Sequence, residues 1–180
     1  LDELEVEKTT LVGLSMGGMV AQGLALEYPS RVRGIVVANS VAEWPEGAEG
    51  MWKKRISLAR EKGMSAHVQS TLGRWFTAET LEGGGDAVDA IRAQIESTPV
   101  EGYIGCCSAL SRLDYAPRLP EIAVPVLLVA GREDPATTPE AMYAMHEVLS
   151  DSIYVELQAA HLSNIECSWE FTEALISFLS

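Results

Sequence analysis

An alternation of strand and helix patterns near the start of the chain constrains the fold more than any other feature. Thr9–Leu14 is a short apolar run rich in β-branched residues, and apolar residues at near-helical spacing follow it as far as Leu26. Pro29 ends the helical pattern, and Val32–Ala38 is a second apolar run. Because a strand, a helix and a strand connected in this way pair in parallel, the sequence predicts an α/β fold with a parallel sheet.

The middle of the chain has a different character. Between residues 43 and 113 the strand patterns stop, and helical spacing recurs around Trp52, Leu72, Ile95 and Cys107. Strand and helix patterns alternate again from Pro125 onward. We therefore predict that residues 1–42 and 114–180 form an α/β core and that residues 43–113 form a helical cap inserted into it.

A Gly-x-Ser-x-Gly motif lies between the first predicted strand and the helix after it. It reads Gly13-Leu14-Ser15-Met16-Gly17, and this position is typical of a nucleophile elbow, in which a strained turn holds the serine. We expect Ser15 to attack a carbonyl carbon and the backbone N–H of Met16 to stabilise the resulting oxyanion. We also expect that a side chain at Gly13 or Gly17 would collide with the neighbouring backbone.

A serine nucleophile needs a general base and a carboxylate that orients the base. His161 follows the last predicted strand and Asp134 follows the strand before it, at the strand ends where α/β sheets place their sites. His67 and His146 lie within helical patterns, which favours packing or surface positions. The sequence therefore predicts a catalytic triad of Ser15, Asp134 and His161, in the chain order typical of this kind of fold.

The overall charge limits the partners of the chain. With 13 basic and 26 acidic residues, the formal net charge is −13, which repels phosphate backbones and anionic membranes. We expect no nucleic-acid or membrane partner. The three cysteines, Cys106, Cys107 and Cys167, match neither a disulfide framework nor metal-ligand spacing, and no signal peptide is visible, so we expect a cytoplasmic protein.

The cap contains a local excess of positive charge. Between residues 53 and 74 it has one acidic residue, Glu61, and six basic residues: Lys53, Lys54, Arg55, Arg60, Lys62 and Arg74. Such a patch can attract an anionic substrate. For Lys53, Lys54 and Arg55 we expect instead a solvated helix face. Arg74 and its neighbour Trp75 are the candidates for substrate binding, although Trp75 fits the core of the cap equally well.

Several segments together resemble a known family. They are Gly-Leu-Ser-Met-Gly-Gly-Met-Val at residues 13–20, Val-Ala-Gly-Arg-Glu-Asp-Pro-Ala-Thr-Thr-Pro at 129–139 and Ala-Ala-His-Leu-Ser-Asn-Ile-Glu at 159–166. The chain is similar to the α/β-hydrolase superfamily and, within it, to the 3-oxoadipate enol-lactonases of bacterial aromatic degradation. Cap segments such as Arg74-Trp75-Phe76 extend the resemblance over nearly the whole chain. The resemblance implies hydrolysis of a small anionic lactone or ester without a metal or an organic cofactor.

The chain departs from that family in two places. Cys167-Ser168 stands where related sequences often have Gln-Pro, and we expect Ser168 to cap the last helix. Family members also have four strands and two helices before the elbow strand, whereas eight residues precede Thr9 here. We therefore expect that the first strands of the sheet are missing, either because a separate chain supplies them or because this chain is a truncated or nicked product. The expected partners are an N-terminal fragment or second chain that completes the sheet, or further copies of this chain in a homo-oligomer.

Two alternatives remain open at this stage. The same triad serves generic carboxylesterases and carbon–carbon bond hydrolases, so the fold does not fix the reaction. A chain that lacks part of the sheet could instead be an inactive fragment that needs an N-terminal partner.

Overall fold

A computed structural model describes all 180 residues, and its centre is a four-stranded parallel sheet. The strands lie in chain order across the sheet and are β1 (Thr9–Leu14), β2 (Val32–Ala38), β3 (Val126–Gly131) and β4 (Ser152–Leu157). All neighbouring strands pair in parallel. The bounds of β1 and β2 are those expected from the sequence.

The register brings the carboxyl ends of the strands to one edge of the sheet. Leu14 is level with Ala38, Ala38 with Val129, and Gly131 with Leu157. The loops that follow the four strands therefore begin side by side. In parallel α/β sheets this edge is where functional side chains collect.

Residues 1–42 and 115–180 form one compact unit, and residues 43–114 form another. The second boundary expected from the sequence lies one residue earlier. The first unit contains helices α1 (Met16–Glu27), α7 (Pro139–Val148), α8 (Ser163–Glu166) and α9 (Ser168–Leu179). Ser168 is the first residue of α9 and Cys167 occupies the cap position, so the expected Ser168 cap was wrong.

Alternate residues of the central strands supply the two faces of the hydrophobic core in this unit. On one face, Ile35 and Leu128 belong to a buried cluster that includes Met142 of α7. On the other face, Val36 belongs to a cluster that includes Phe171 of α9. The sheet therefore lies between two layers of helices, and its rigid core holds the loops at the carboxyl edge.

The second unit, residues 43–114, consists of helices. They are α2 (Glu49–Lys62), α3 (Val68–Trp75), α4 (Ala78–Gly83), α5 (Asp86–Ser97) and α6 (Val100–Leu110). Trp52 of α2 lies in its core, with the ring of Trp44 5.1 Å away in an edge-on contact. Lys53 and Lys54 are exposed, but Arg55 is half-buried with its Cζ atom 5.0 Å from the centre of the Trp52 ring. The expectation that Arg55 belongs to the solvated face was therefore wrong.

Strand β1 occupies one edge of the four-stranded sheet, and its Val12 side chain is 52% exposed. Apolar sheet edges of this kind pair readily with other strands. Pairing of β1 with a strand from another chain stays a prediction. No helix in the structure has the length and apolar character that a membrane span requires.

Candidate active site

The turn between β1 and α1 holds Ser15 in a strained backbone conformation. Its φ and ψ angles are 54° and −117°, in a region that residues with a side chain rarely adopt. A Cβ atom at Gly13 would lie 2.1 Å from the carbonyl oxygen of Gly17, so only glycine fits position 13. The expected collision at Gly17 was wrong, because a Cβ atom there would meet nothing within 4 Å. The second glycine of this turn that has no room for a side chain is Gly18, where a Cβ atom would lie 2.8 Å from Cβ of Ser40.

Met16 is the first residue of α1 and directly follows Ser15. The N–H groups in the first turn of a helix have no acceptor within the helix, and the helix dipole makes this end partly positive. The turn therefore places a backbone donor next to the serine, as an oxyanion site requires.

The structure brings Asp134 and His161 into direct contact. The Oδ2 atom of Asp134 lies 2.7 Å from Nδ1 of His161, and the two residues are 2% and 3% exposed. Asp134 follows β3 and His161 follows β4, as expected from the sequence. Because a carboxylate accepts hydrogen bonds, this contact favours the histidine tautomer with its proton on Nδ1, which leaves Nε2 as the basic atom.

The Asp134 carboxylate accepts five hydrogen bonds in all. Oδ1 accepts from the backbone N–H groups of Ala136 and Thr137, and Oδ2 accepts from the Thr137 hydroxyl, the Asn39 amide and His161. Burial raises the pKa of Asp134, but its bonds to His161, Thr137 and Ala136 outweigh burial and hold the pKa below its usual value. Asp134 is therefore an ionised, fixed partner for the histidine.

Asn39 is a supporting residue that the sequence analysis missed. It is fully buried directly after β2, with a left-handed φ of 45°. Its Nδ2 donates to Oδ2 of Asp134 (3.0 Å) and to the carbonyl of Ala160 (3.2 Å), and its Oδ1 accepts from the Ser163 hydroxyl (2.5 Å). Asn39 thus fixes the acid and both sides of the His161 loop. The available signal was an asparagine at the carboxyl end of a parallel strand.

Ser40, the next residue, connects the same strand end to the nucleophile turn. Its hydroxyl donates to the carbonyl of Ser15 over 2.8 Å, and the N–H of Ser15 donates to the carbonyl of Ala38 over 2.8 Å. The end of β2 is therefore hydrogen bonded to the Ser15 turn on one side and to Asp134 on the other. This arrangement holds the elements that carry the predicted triad in a fixed register.

The two candidate substrate-binding residues lie in the helical unit. Arg74 and Trp75 end α3, and both are half-buried. Nη2 of Arg74 donates to the Thr71 hydroxyl over 3.3 Å, which leaves most of its guanidinium donors available. Their role in substrate binding stays a prediction. The structure contains no cluster of three or more histidine, cysteine, aspartate or glutamate side chains placed to hold a metal ion.

Comparison with known proteins identifies the fold family of the chain. A family model described as alpha/beta hydrolase fold matches residues 1–167. The chain is 35% identical to 3-oxoadipate enol-lactonase 2 of Acinetobacter baylyi over 175 residues. This alignment covers 97% of this chain and 65% of the Acinetobacter protein. The chain therefore spans about two-thirds of the length of such relatives.

Two solved structures are also similar. The enol-lactonase from Burkholderia xenovorans LB400 has a TM-score of 0.95 at 35% identity, covering 99% of this chain and 68% of that one. A thermophilic esterase from Thermogutta terrifontis, with malate bound, has a TM-score of 0.92 at 27% identity, covering 99% of this chain and 67% of that one.

Proposed function

Because the chain belongs to the α/β-hydrolase fold family, we propose that it supplies the nucleophile, base and acid of a serine hydrolase that opens a small carboxylated enol-lactone. The observation that carries this proposal is the buried contact between Asp134 and His161 at the same sheet edge as the strained Ser15 turn. A strained serine at a strand end and an oriented histidine are the parts that acyl transfer requires.

In the proposed mechanism, the Oγ atom of Ser15 attacks the lactone carbonyl carbon while Nε2 of His161 accepts its proton. The Met16 N–H donates a hydrogen bond to the oxyanion, a type of contact that contributes about 10²–10³ in rate. His161 then returns the proton to the enol oxygen that leaves, and Asp134 stabilises the imidazolium. Water, activated by the same histidine, attacks the acyl-enzyme and releases the open-chain acid.

The names of similar proteins support the choice of substrate. Both the Acinetobacter relative and the Burkholderia structure are enol-lactonases, and the former acts on 3-oxoadipate enol-lactone according to its name. We propose the same reaction here, giving 3-oxoadipate as the product of a step in aromatic degradation. Arg74 would bind the carboxylate of the lactone through two parallel hydrogen bonds, and Trp75 would pack against its carbon chain. This mechanism uses only side chains and backbone groups of the protein.

A comparison of two substrates tests the proposal. We expect turnover of a carboxylated enol-lactone to exceed turnover of a neutral aryl ester of similar size, and an aryl phosphonate to label Ser15. Ser15→Ala is expected to lower turnover by roughly 10⁶-fold, whereas Ser30→Ala, an exposed serine of the same unit, leaves it unchanged. Labelling at another residue would contradict the assignment of Ser15.

A general carboxylesterase is the second candidate, and the esterase from Thermogutta terrifontis favours it. That enzyme has a similar fold at lower sequence identity than the enol-lactonases. Equal or faster turnover of the neutral aryl ester in the substrate comparison would support this alternative.

A further inference from the structure

The helical unit contains a buried histidine with an unsatisfied nitrogen. His67 is 3% exposed, and its Nε2 atom is buried without a hydrogen-bond partner. The backbone of Arg55 also acts on this imidazole, and its effect on the His67 pKa is opposite to that of burial. Buried polar atoms almost always have a partner, and an orphaned one therefore indicates a place where a ligand or water belongs.

Aromatic and cationic side chains from three helices interact with His67. The Tyr103 ring of α6 lies 4.9 Å from the His67 ring, measured between ring centres. Arg55 of α2 and Arg74 of α3 both act electrostatically on His67 and on Tyr103. The four residues come from separate segments of residues 43–114, and the packing of this unit brings their polar groups together.

The two guanidinium groups in this cluster lack an opposite charge. Arg31, Arg118 and Arg132 each form an ion pair with a carboxylate elsewhere in the chain. Arg55 contacts the Trp52 ring and Arg74 the Thr71 hydroxyl, and neither contacts a carboxylate.

The positive charges in this cluster lower the pKa values of Arg74 and His67. Burial lowers the pKa of Arg74, and the positive charge of Arg55 lowers it further. Burial likewise lowers the pKa of His67, and both arginines add to the effect. Arg55 and Arg74 are both half-buried and repel each other, and an external anion would relieve this repulsion.

We infer that Arg55, His67, Arg74 and Tyr103 form a binding site for a small organic carboxylate within the helical unit. The two guanidinium groups supply forked donors, and Nε2 of His67, in the tautomer that places the ring proton there, donates a further hydrogen bond to the carboxylate. The aromatic rings of Trp52 and Tyr103 suit the carbon chain of an organic acid better than a fully hydrated inorganic anion. The site as such does not depend on hydrolysis. That its ligand is the substrate carboxylate rests on the proposed function.

The test uses the full chain carrying Ser15→Ala, so that the result does not depend on turnover. Succinate is the probe, followed by isothermal titration calorimetry and by NMR of the histidine side chains. The chain has three histidines, and the His67 signals can be assigned by comparison with His67→Gln. We expect saturable binding that shifts the His67 signals and leaves those of His146 unchanged.

Arginine variants and two further ligands complete the test. Arg55→Gln and Arg74→Gln are each expected to weaken succinate binding at least about ten-fold, because each removes a charge-assisted hydrogen-bond donor. Arg60→Gln, an exposed position on α2, is the matched control and should leave the affinity unchanged. Neutral succinamide should not bind, and inorganic phosphate should bind more weakly than succinate.

Three results would overturn the inference. They are succinate binding that does not move the His67 signals, equal affinity in both arginine variants and the parent chain, or phosphate binding as tight as that of succinate. The NMR titration needs no arginine substitution, so it decides the question even if an arginine variant fails to fold. Loss of hydrolysis with intact succinate binding would contradict the proposed function and leave this site in place.

Discussion

Two polar clusters, one in each unit of the chain, differ in how completely they are hydrogen bonded. In the α/β unit, the Asp134 carboxylate accepts five hydrogen bonds and touches the histidine that it orients. In the helical unit, Arg55 and Arg74 have no carboxylate and Nε2 of His67 has no partner. A fully bonded network is fixed before any ligand arrives, as catalysis requires, whereas an unpaired cationic group has binding capacity left for a ligand.

Removing the charge of Asp134 tests the fully bonded cluster and has the largest expected effect among the tests of this comparison. Asp134→Asn keeps the shape of the side chain, but an amide disfavours the His161 tautomer with its proton on Nδ1 and cannot stabilise an imidazolium. We expect kcat for the lactone to fall about 10⁴-fold. Steady-state kinetics measure this, with Asp151→Asn, an exposed aspartate of the same unit, as the control. A loss below about ten-fold would mean that Asp134 is not the orienting acid.

Truncating Arg74 tests the other cluster, in which the cationic groups have no carboxylate partner. If Arg74 binds the substrate carboxylate, Arg74→Ala should cost about 2–5 kcal/mol of transition-state stabilisation for the carboxylated lactone and much less for a neutral ester. The measurement is kcat/KM for both substrates, with Arg60→Ala as the control. Equal losses on the two substrates would assign Arg74 to packing of the helical unit.

The sequence was sufficient for the parts of the molecule that follow local rules. Strand bounds such as Val32–Ala38 follow from uninterrupted apolar runs, and Asp134 and His161 were found because each directly follows a strand. Asn39 was missed because its role depends on contacts with residues about a hundred positions away. Local spacing carries no information about such pairs.

In the cap, one signal was present in the sequence but was not used. Arg55 lies three residues after Trp52 and four before Ala59, so helical spacing places it on the buried side of α2. The contact between the Arg55 guanidinium and the Trp52 ring agrees with that spacing. The short helix α4 was not predicted either, because Thr77 caps a segment of only six residues before the glycines that follow.

Removing the Asn39 amide tests whether the fixed network depends on β2. Asn39→Gly tolerates the left-handed backbone and deletes only the side chain. We expect kcat to fall about 10²-fold with little change in KM, because misplacement of the acid and of the His161 loop by about 1 Å is costly for the reaction. Asn164→Gly, at an exposed position, is the matched control. A change confined to KM would contradict a positioning role for Asn39.

The smallest expected effect concerns stability rather than rate, and it follows from the lowered pKa of Asp134. A carboxyl group whose pKa is lower in the folded than in the unfolded state stabilises the fold above its unfolded pKa. That stabilisation disappears as the pH falls through the folded pKa, which here lies below the ordinary value of 3.8.

Asp134→Asn cannot titrate at this position, so it lacks this contribution at every pH. The free energy of unfolding from urea titrations should therefore favour the parent chain at about pH 6, and the difference should shrink by about pH 3. Both proteins share every other titrating carboxyl group, so subtraction removes the general effect of acid. A difference that stays constant between the two pH values would show that the hydrogen bonds around Asp134 do not favour its ionised form.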